Sequence, residues 1–565
     1  MSKEWKLPLL NSYLEKWAAT APDREAMIQY EDGKTVTYKQ FLESVDLAAL
    51  KLLDLGLEHG DRLATMLLTF PDHYVLMYAC FKIGVIVAPL DLRLKENEVV
   101  RDLDKIEPKA FFFLGPTPAR DFRVVGETVR DRCGYVRHLV QFSPAPQPGE
   151  IIDGAVSVAE FMDPEKIKEL KEKDQRTGEL ARAYARITPQ TPALIIYTTG
   201  TTGEPKPAVL THENIIVQNE ILARGIGLRK EEFRMVLNLP PSHVAGTSEG
   251  PMTTFYAGGT GIMLRVFDPR QTLDAAAKYR ATVLGMIPTQ YRMLWAVPDY
   301  NSFDLSSVKS AIYAGSAVDV PFLEQLSKMA PHFGTGLGMT ENAGFATFTP
   351  PDISVEEMAG QVGRPFPDVA EVTVRAPMRE DGTAGEELPD GEIGEICYHP
   401  PIVFPGYFNQ PEETAKVISK EGILYTGDLG FFKNMGSYRA LYLSGRRKFV
   451  IKQKGYNVFP DEVQAHIATY PGVAVVEVVG VPHSLFDEGI FAFVQPKPGV
   501  ELTAAEIMEH CRNIASYKRP QHVEIWPADK MMPLTRLGKV DKIQLQNIAR
   551  ETAEELRQKG LWDAE

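Results

Sequence analysis

Short runs of aliphatic and β-branched residues alternate along most of the chain with stretches whose apolar positions recur every three or four residues. The first pattern suits strands, the second suits helices packed against them. Residues 194–197, 282–287 and 308–314 predict buried strands, and 41–55 and 271–279 predict helices. The most apolar stretch, 63–90, is broken by Asp72, His73 and Lys82, too often for a membrane span. It reads as a buried helix followed by a core strand over 83–90. The charged segment 165–186 predicts a solvated helix. The whole alternation predicts an α/β fold of mixed or parallel sheets covered by helices.

The texture changes near residue 446. A turn and short strand over 436–444 precede it. After it the pattern reads strand, helix, strand, strand, helix, strand and a last helix, with strands over 474–481, 490–495 and 522–526 and the helix over 542–557. That is enough for a small α+β domain with its own sheet. A chain of 565 residues calls for at least two domains. The reading is a large N-terminal domain, 1–446, and a small α+β domain, 447–565, divided at the basic run Arg446-Arg447-Lys448.

Apolar residues at 44% and charged residues at 24% are ordinary for a globular chain. A net charge of −14 argues against nucleic acid and against binding an anionic membrane by charge alone. Cys80, Cys133, Cys397 and Cys511 are far apart, without metal-site spacing, which fits a reduced compartment. The first 17 residues intersperse Lys and Glu among apolar positions, unlike a signal peptide. The last residues carry no lipidation or peroxisomal signal. A cytoplasmic protein is expected.

The segment richest in chemistry is Tyr197-Thr198-Thr199-Gly200-Thr201-Thr202-Gly203-Glu204-Pro205-Lys206-Pro207. Two glycines let the backbone turn its N–H groups toward an anion, the threonine hydroxyls add donors, and Lys206 adds charge. The loop follows a strand, and 211–222 after it reads as a helix. A phosphate cradle is the natural reading. It is not a Walker A loop, because Pro205 and Pro207 stand where that motif needs Gly and Ser or Thr.

With seven further motifs in order, the chain resembles the adenylate-forming superfamily of acyl-CoA synthetases, aryl-CoA ligases, luciferases and peptide-synthetase adenylation domains. The motifs are Leu239-Pro240-Pro241-Ser242-His243-Val244-Ala245-Gly246, Gly336-Leu337-Gly338-Met339-Thr340-Glu341, Val362-Gly363-Arg364-Pro365 and Tyr425-Thr426-Gly427-Asp428. Ser444-Gly445-Arg446-Arg447-Lys448, Lys454-Gly455-Tyr456-Asn457-Val458 and Pro533-Leu534-Thr535-Arg536-Leu537-Gly538-Lys539 complete the set. The resemblance spans nearly the whole chain.

It implies a two-step reaction. A carboxylate attacks the α-phosphate of ATP, releasing pyrophosphate, and coenzyme A then displaces AMP from the acyl-adenylate. Lys539 resembles the lysine that bridges carboxylate and α-phosphate, a place where charge crowding calls for a cation. Glu341 resembles the carboxylate that holds Mg²⁺, with Thr340 donating to the phosphate; one carboxylate suits an ion that keeps waters and phosphates as ligands. The nucleotide is expected along Thr198 to Gly203, Lys206, Gly315, Ser316, Ala317 and Gly336 to Met339. Asp428 is expected to accept the ribose hydroxyls, with Arg446 nearby. The family often has an aromatic residue where this chain has Leu337, which forgoes stacking on adenine.

Branches of the superfamily differ around His243. Amino-acid-activating members place an aspartate in this segment, and none is present, so an uncharged acyl tail is expected. His243 resembles the ring beside the reacting carboxylate. Gly338 stands where acetate-specific members carry a tryptophan, which implies a larger acid. Val244, Gly246, Thr247, Tyr313, Ala314, Met339 and Asn342 are the other expected walls, with Gly315 and Ser316 beside them. They suit a medium chain, a ring or an aryl acid. Lys448 resembles the hinge residue, and Lys454, Gly455 and Tyr456 resemble the loop along the pantetheine arm of coenzyme A. An adenylate-forming enzyme with a different acceptor, or a silent nucleotide-binding regulator, are the other classes. A homodimer is compatible with all of these.

Overall fold

The computed structural model describes residues 8–143, 147, 149–199, 205–228, 232–315, 318–453, 456–484, 487–535 and 540–562, with backbone alone at 199, 456 and 457. The chain divides into two compact units. One comprises Met1–Val372, Arg379–Ala384 and Tyr398–Leu424, the other Thr373–Met378, Gly385–Cys397 and Tyr425–Glu565. The run at 446–448 therefore lies within the second unit.

Two large sheets build the first unit. In one, Ile86–Pro89, Arg62–Met66, Ala110–Leu114, His138–Phe142 and Ala155–Ser157 run parallel to Pro192–Thr199, and Pro205–Thr211 and Gly406–Tyr407 extend the edge antiparallel. In the other, His332–Gly334, Ser310–Tyr313, Val283–Met286, Arg234–Leu237, Thr260–Met263 and Glu25–Gln29 are parallel, closed by the antiparallel strand Thr35–Thr37. Strands covered on both faces read as unbroken apolar runs, which is why 110–114, Ala-Phe-Phe-Phe-Leu, is wholly buried. Helices Pro71–Ile83 and His212–Ile226 each touch strands of both sheets, so they lie between them. That position explains the near-complete burial of Pro71–Ile83 despite its polar residues.

Most of the predicted strands and helices are present, with ends shifted by a few residues. The stretch read as a buried helix from 63 onward differs: Arg62–Met66 is a core strand, and the helix starts only at Pro71, whose fixed φ suits a first helical position. Segment 165–186 forms two helices, Pro164–Thr177 and Glu179–Tyr184, because Gly178 takes a φ of 64° that stops the first. The larger difference lies around the Thr/Gly loop. Residues 205–211 form a strand paired antiparallel with Pro192–Thr199, in register Thr198↔Lys206. The loop thus joins a hairpin, and the helix starts only at His212, capped by the Thr211 hydroxyl.

In the second unit, strands Asp487–Pro496 and Val473–His483 form a long hairpin, flanked by Ile451–Gln453 with Tyr456–Val458 and by the parallel strand His522–Ile525. Ile490, Ala492 and Val494 pack on one face with Val463 and Ile507, while Phe491 and Phe493 pack on the other with Leu545 and Trp562. The period of two therefore feeds two small cores.

Two buried histidines make folding pH-dependent. His73 accepts from Thr65 Oγ1 at Nε2 and donates from Nδ1 to the Leu68 carbonyl, which suits the neutral ring. Burial pushes His73 down to about 4 and His212 down to about 3. An unfolded histidine, with a pKa near 6.5, takes a proton that these cannot. Their stabilisation is complete above that value and is lost progressively as pH falls from it toward about 4 for His73 and about 3 for His212. We expect the unfolding free energy to drop by about 4 kcal/mol between pH 7 and pH 5. Denaturant titrations across that range check this, and the double variant His73→Gln/His212→Asn should flatten the dependence.

Candidate functional site

In the first unit, the edge strand Gly406–Tyr407 lies beside the strand that carries Lys206, in register Tyr407↔Ala208. The Tyr407 hydroxyl donates to Glu341 Oε1 at 2.8 Å, and the Phe404 N–H donates to the Glu341 carbonyl at 3.0 Å. Lys206 Nζ lies 5.1 Å from the centre of the Tyr407 ring and 2.6 Å from Glu413 Oε2. Lys206 and then Lys416 hold the Glu413 carboxyl down at about 2. Burial, then the Glu341 charge, raises the Tyr407 phenol, which therefore stays a donor. Glu341 is 7% exposed and sits in the turn Thr340–Asn342. Tyr407 and Glu413 were missed in the sequence, where only the Gly-Tyr pair and a Glu-Glu pair after Pro411 marked them.

The segment 336–345 is a tight hairpin. Gly338–Met339 pairs with Gly344–Phe345, and Ala343 takes a φ of 63°. The Asn342 amide is occupied in holding this turn, accepting from Met339 N and donating to the Gly344 carbonyl, each at 2.7 Å. A Cβ on Gly336 would lie 2.0 Å from the Thr347 carbonyl oxygen, and one on Gly338 would lie 1.8 Å from that of Gly344. Glycine at 338 is thus required by its own hairpin, whatever the pocket needs. Gly338→Ala is expected to cost ~1–3 kcal/mol of stability through overpacking. A denaturation midpoint equal to that of the parent chain would overturn this. Leu337 is buried, and its N–H donates to Thr347 Oγ1 at 2.9 Å.

His243 caps the turn Val244–Gly246, its Nδ1 accepting from Ala245 N at 3.1 Å. In the neutral ring the proton is therefore on Nε2, which makes that atom the donor. Thr247 Oγ1 donates to the His243 carbonyl and Tyr74 donates to that of Gly246. A Cβ on Gly246 would overlap Pro240 O at 2.1 Å. Ser248 Oγ donates to the Ala343 carbonyl at 2.6 Å, which ties the His243 segment to the Glu341 hairpin. Val244, Thr247 and Asn342 are almost fully buried. Tyr313 ends its strand against Phe322, and Ala314 follows with Gly315 at a φ of 99°.

In the second unit, Asp428 and Arg446 face each other across the hairpin Leu424–Asn434 with Arg439–Arg446, Nε to Oδ1 at 2.7 Å. Asp428 N donates to Thr426 Oγ1. Glu395 is nearly fully buried. It accepts from Gly427 N at 2.9 Å and pairs with Arg447 at 3.1 Å. Burial raises the Glu395 pKa, and the Gly427 N–H and Arg447 offset part of that. Glu395 thus braces the turn that presents Asp428. Its only sign in the sequence was one acid inside the apolar run 393–398. Lys448 lies in the turn Arg447–Phe449 with Nζ 4.4 Å from the Phe449 ring centre. Tyr456 opens a strand paired with Ile451–Gln453.

Several expected positions lie outside the described residues: Gly200, Thr201, Thr202, Gly203, Ser316, Ala317, Lys454, Gly455 and Lys539. Among the described residues no group of three or more His, Cys, Asp or Glu side chains gathers to hold a metal, and no helix is long and apolar enough to cross a membrane. The four cysteines are buried and free.

A family model described as AMP-binding enzyme matches residues 14–408, and one described as AMP-binding enzyme C-terminal domain matches 462–539. The chain is 31% identical to the long-chain-fatty-acid–CoA ligase of Bacillus subtilis (strain 168), over 95% of this chain and 94% of that one. It is 28% identical to the mitochondrial medium-chain acyl-CoA ligase ACSF2 of Homo sapiens, over 94% and 86%. The fold superposes on ATP-bound MatB from Rhodopseudomonas palustris with a TM-score of 0.78 at 25% identity, covering 96% and 100% of the two chains.

Proposed function

The chain belongs to the AMP-binding enzyme family, and on that premise we propose that it is an AMP-forming acyl-CoA synthetase acting on an acid larger than acetate. The observation that carries the reading is the eight motifs in family order along one chain, beside relatives that are ligases of long-chain and medium-chain acids.

In the first step the acid's carboxylate attacks the α-phosphate and pyrophosphate leaves. Lys539 offsets the negative charge gathering there. His243, with its proton on Nε2, offers a donor beside the carboxylate rather than a competing base. Thr198 to Gly203 and Lys206 receive the phosphates. A polyanion arriving there competes with Glu413 for the Lys206 ammonium. Asp428, held up by Glu395 and Thr426, receives the ribose.

The Glu341 site fits Mg²⁺: a buried carboxylate oriented by a tyrosine hydroxyl supplies hard oxygens. Glu341 would hold the ion, which when bound neutralises phosphate charge, and Thr340 donates to the α-phosphate. In the second step coenzyme A attacks the acyl-adenylate, with its arm along Lys454 to Tyr456. We assign the two steps to two arrangements of domains 1–446 and 447–565 about Lys448. The free cysteines support a reducing, cytoplasmic location.

The test is a panel of straight-chain, cyclic and aryl acids assayed for pyrophosphate and for CoA-dependent AMP. We expect several acids beyond propionate to release both. AMP without thioester would place another acceptor in the reaction, and no pyrophosphate with any acid would overturn the reading.

A further inference from the structure

Behind the turn that carries His243 lies a narrow apolar slot. Ala245 and Gly246 line it, as do Leu237, Gly250, Met235 and Gly285. Side chains nearly fill it. As it stands it holds one water molecule at most, and its lining offers that water no polar side chain.

Two features distinguish this slot from a packing flaw. First, glycines surround it where neighbouring positions carry large side chains. Met235 and Leu237, two residues apart on one strand, face the same side of the sheet. On the flanking strands Gly261 stands opposite Met235, and Gly285 follows the paired Leu284. Above them the covering segment Ser248–Met252 is a π-helical turn containing Gly250 and Pro251, an irregularity frequent at functional sites.

Second, one wall is movable. A Cβ built on Gly285 would meet only Met235 Cε, at 2.7 Å, and one on Gly250 would lie 3.8 Å from the same methyl. The tip of Met235 therefore fills the space between these two glycines. Methionine, unbranched and with three rotatable bonds, gives way to an incoming chain more readily than any other side chain on this wall. The opposite side is backbone: the Gly250 Cβ position is 3.0 Å from the Ala245 carbonyl oxygen. A space opened by moving one unbranched side chain against a backbone wall suits a polymethylene tail better than a ring.

We propose that this slot is the far end of the acyl pocket, that the substrate is a straight-chain aliphatic acid, and that Met235 sets its length. The tail passes Ala245 and Gly246 and displaces the Met235 thioether. The inference rests on the synthetase reading above.

The test compares kcat/KM for saturated straight-chain acids of increasing length, with benzoate and cyclohexane carboxylate alongside. The enzymes are the parent, Met235→Ala, Gly285→Ala and the double variant. Met235→Ala removes every atom beyond Cβ, opening room for about three methylene groups. Acids two to three carbons longer than the parent's optimum should gain at least about tenfold relative to that optimum. Gly285→Ala pushes the Met235 tip into the slot and should cost the longest accepted acids about tenfold. The double variant should return toward the parent profile. Unchanged length profiles in both single variants, or a parent preference for the ring acids, would overturn the proposal. Should Met235→Ala not fold, Gly285→Ala decides alone, since its added methyl meets only a mobile side-chain tip. Absence of AMP from the parent with every acid is a separate result, and it removes the synthetase reading itself.

Discussion

Lys539→Ala is expected to slow adenylate formation at least about a hundredfold. Two anions meet at the α-phosphate, and negative charge gathers on its oxygens as pyrophosphate leaves. A unit charge about 4 Å away contributes roughly 1 kcal/mol in a water-like medium and about 4 kcal/mol at the effective dielectric of a partly enclosed site. The second figure corresponds to a thousandfold, so a hundredfold is the conservative bound. Lys206 is not a substitute, because its ammonium is 2.6 Å from Glu413 and belongs to the strand beside the phosphate loop. Thioester formation from preformed acyl-adenylate should change much less, since we assign that step to the other domain arrangement. Pyrophosphate release and thioester formation, assayed separately, check both halves. Near-normal pyrophosphate release would remove the catalytic assignment of Lys539.

Lys448→Pro is expected to give the reverse phenotype, with adenylation retained and thioester formation lost by at least about a hundredfold. Lys448 lies in the short turn Arg447–Phe449, between the extended backbone of Arg446 and of Val450. Hinges concentrate dihedral change in a few such residues. Proline holds its own φ near −65° and drives the preceding residue, Arg447, out of the helical region. The segment would then keep one arrangement instead of two. The two half-reactions, measured on this variant, distinguish the outcomes. Equal loss of both would mean damage to the fold, and loss of neither would move the hinge elsewhere.

The local elements were legible because each rests on its own neighbours. The alternation at 490–495 places Ile490 and Phe491 on opposite faces of one strand without reference to the rest of the chain. The helix over 41–55 follows from spacing alone, and the structure adds only its cap at Thr37. The candidate chemistry was legible for a different reason: phosphate, ribose and carboxylate each demand a few residue types in a fixed order, and that order survives in eight short motifs. Single residues were harder. Gly338 read as an opening in the acyl pocket, yet the nearby Gly344 carbonyl leaves no room for any side chain there. Asn342 read as a pocket wall, yet its amide holds the 339–344 turn. Glu395 was hidden inside an apolar run.

By itself, then, the sequence determined the α/β class, the small C-terminal unit, the family and the residue types available for each step, because periodicity and motif order are local properties of the chain. The tertiary structure alone decided which of those residues meet. It brought Lys206 to Glu413 across 207 positions and Tyr407 to Glu341 across 66. It turned the His243 ring so that Nδ1 is occupied by its own turn, and it left a slot beside Met235 by setting glycines on the strands around it. Such pairings depend on strand order and on the exclusion of water between distant segments. Neither is written in the spacing of residues along one segment, since a sheet can bring together strands from any part of the chain.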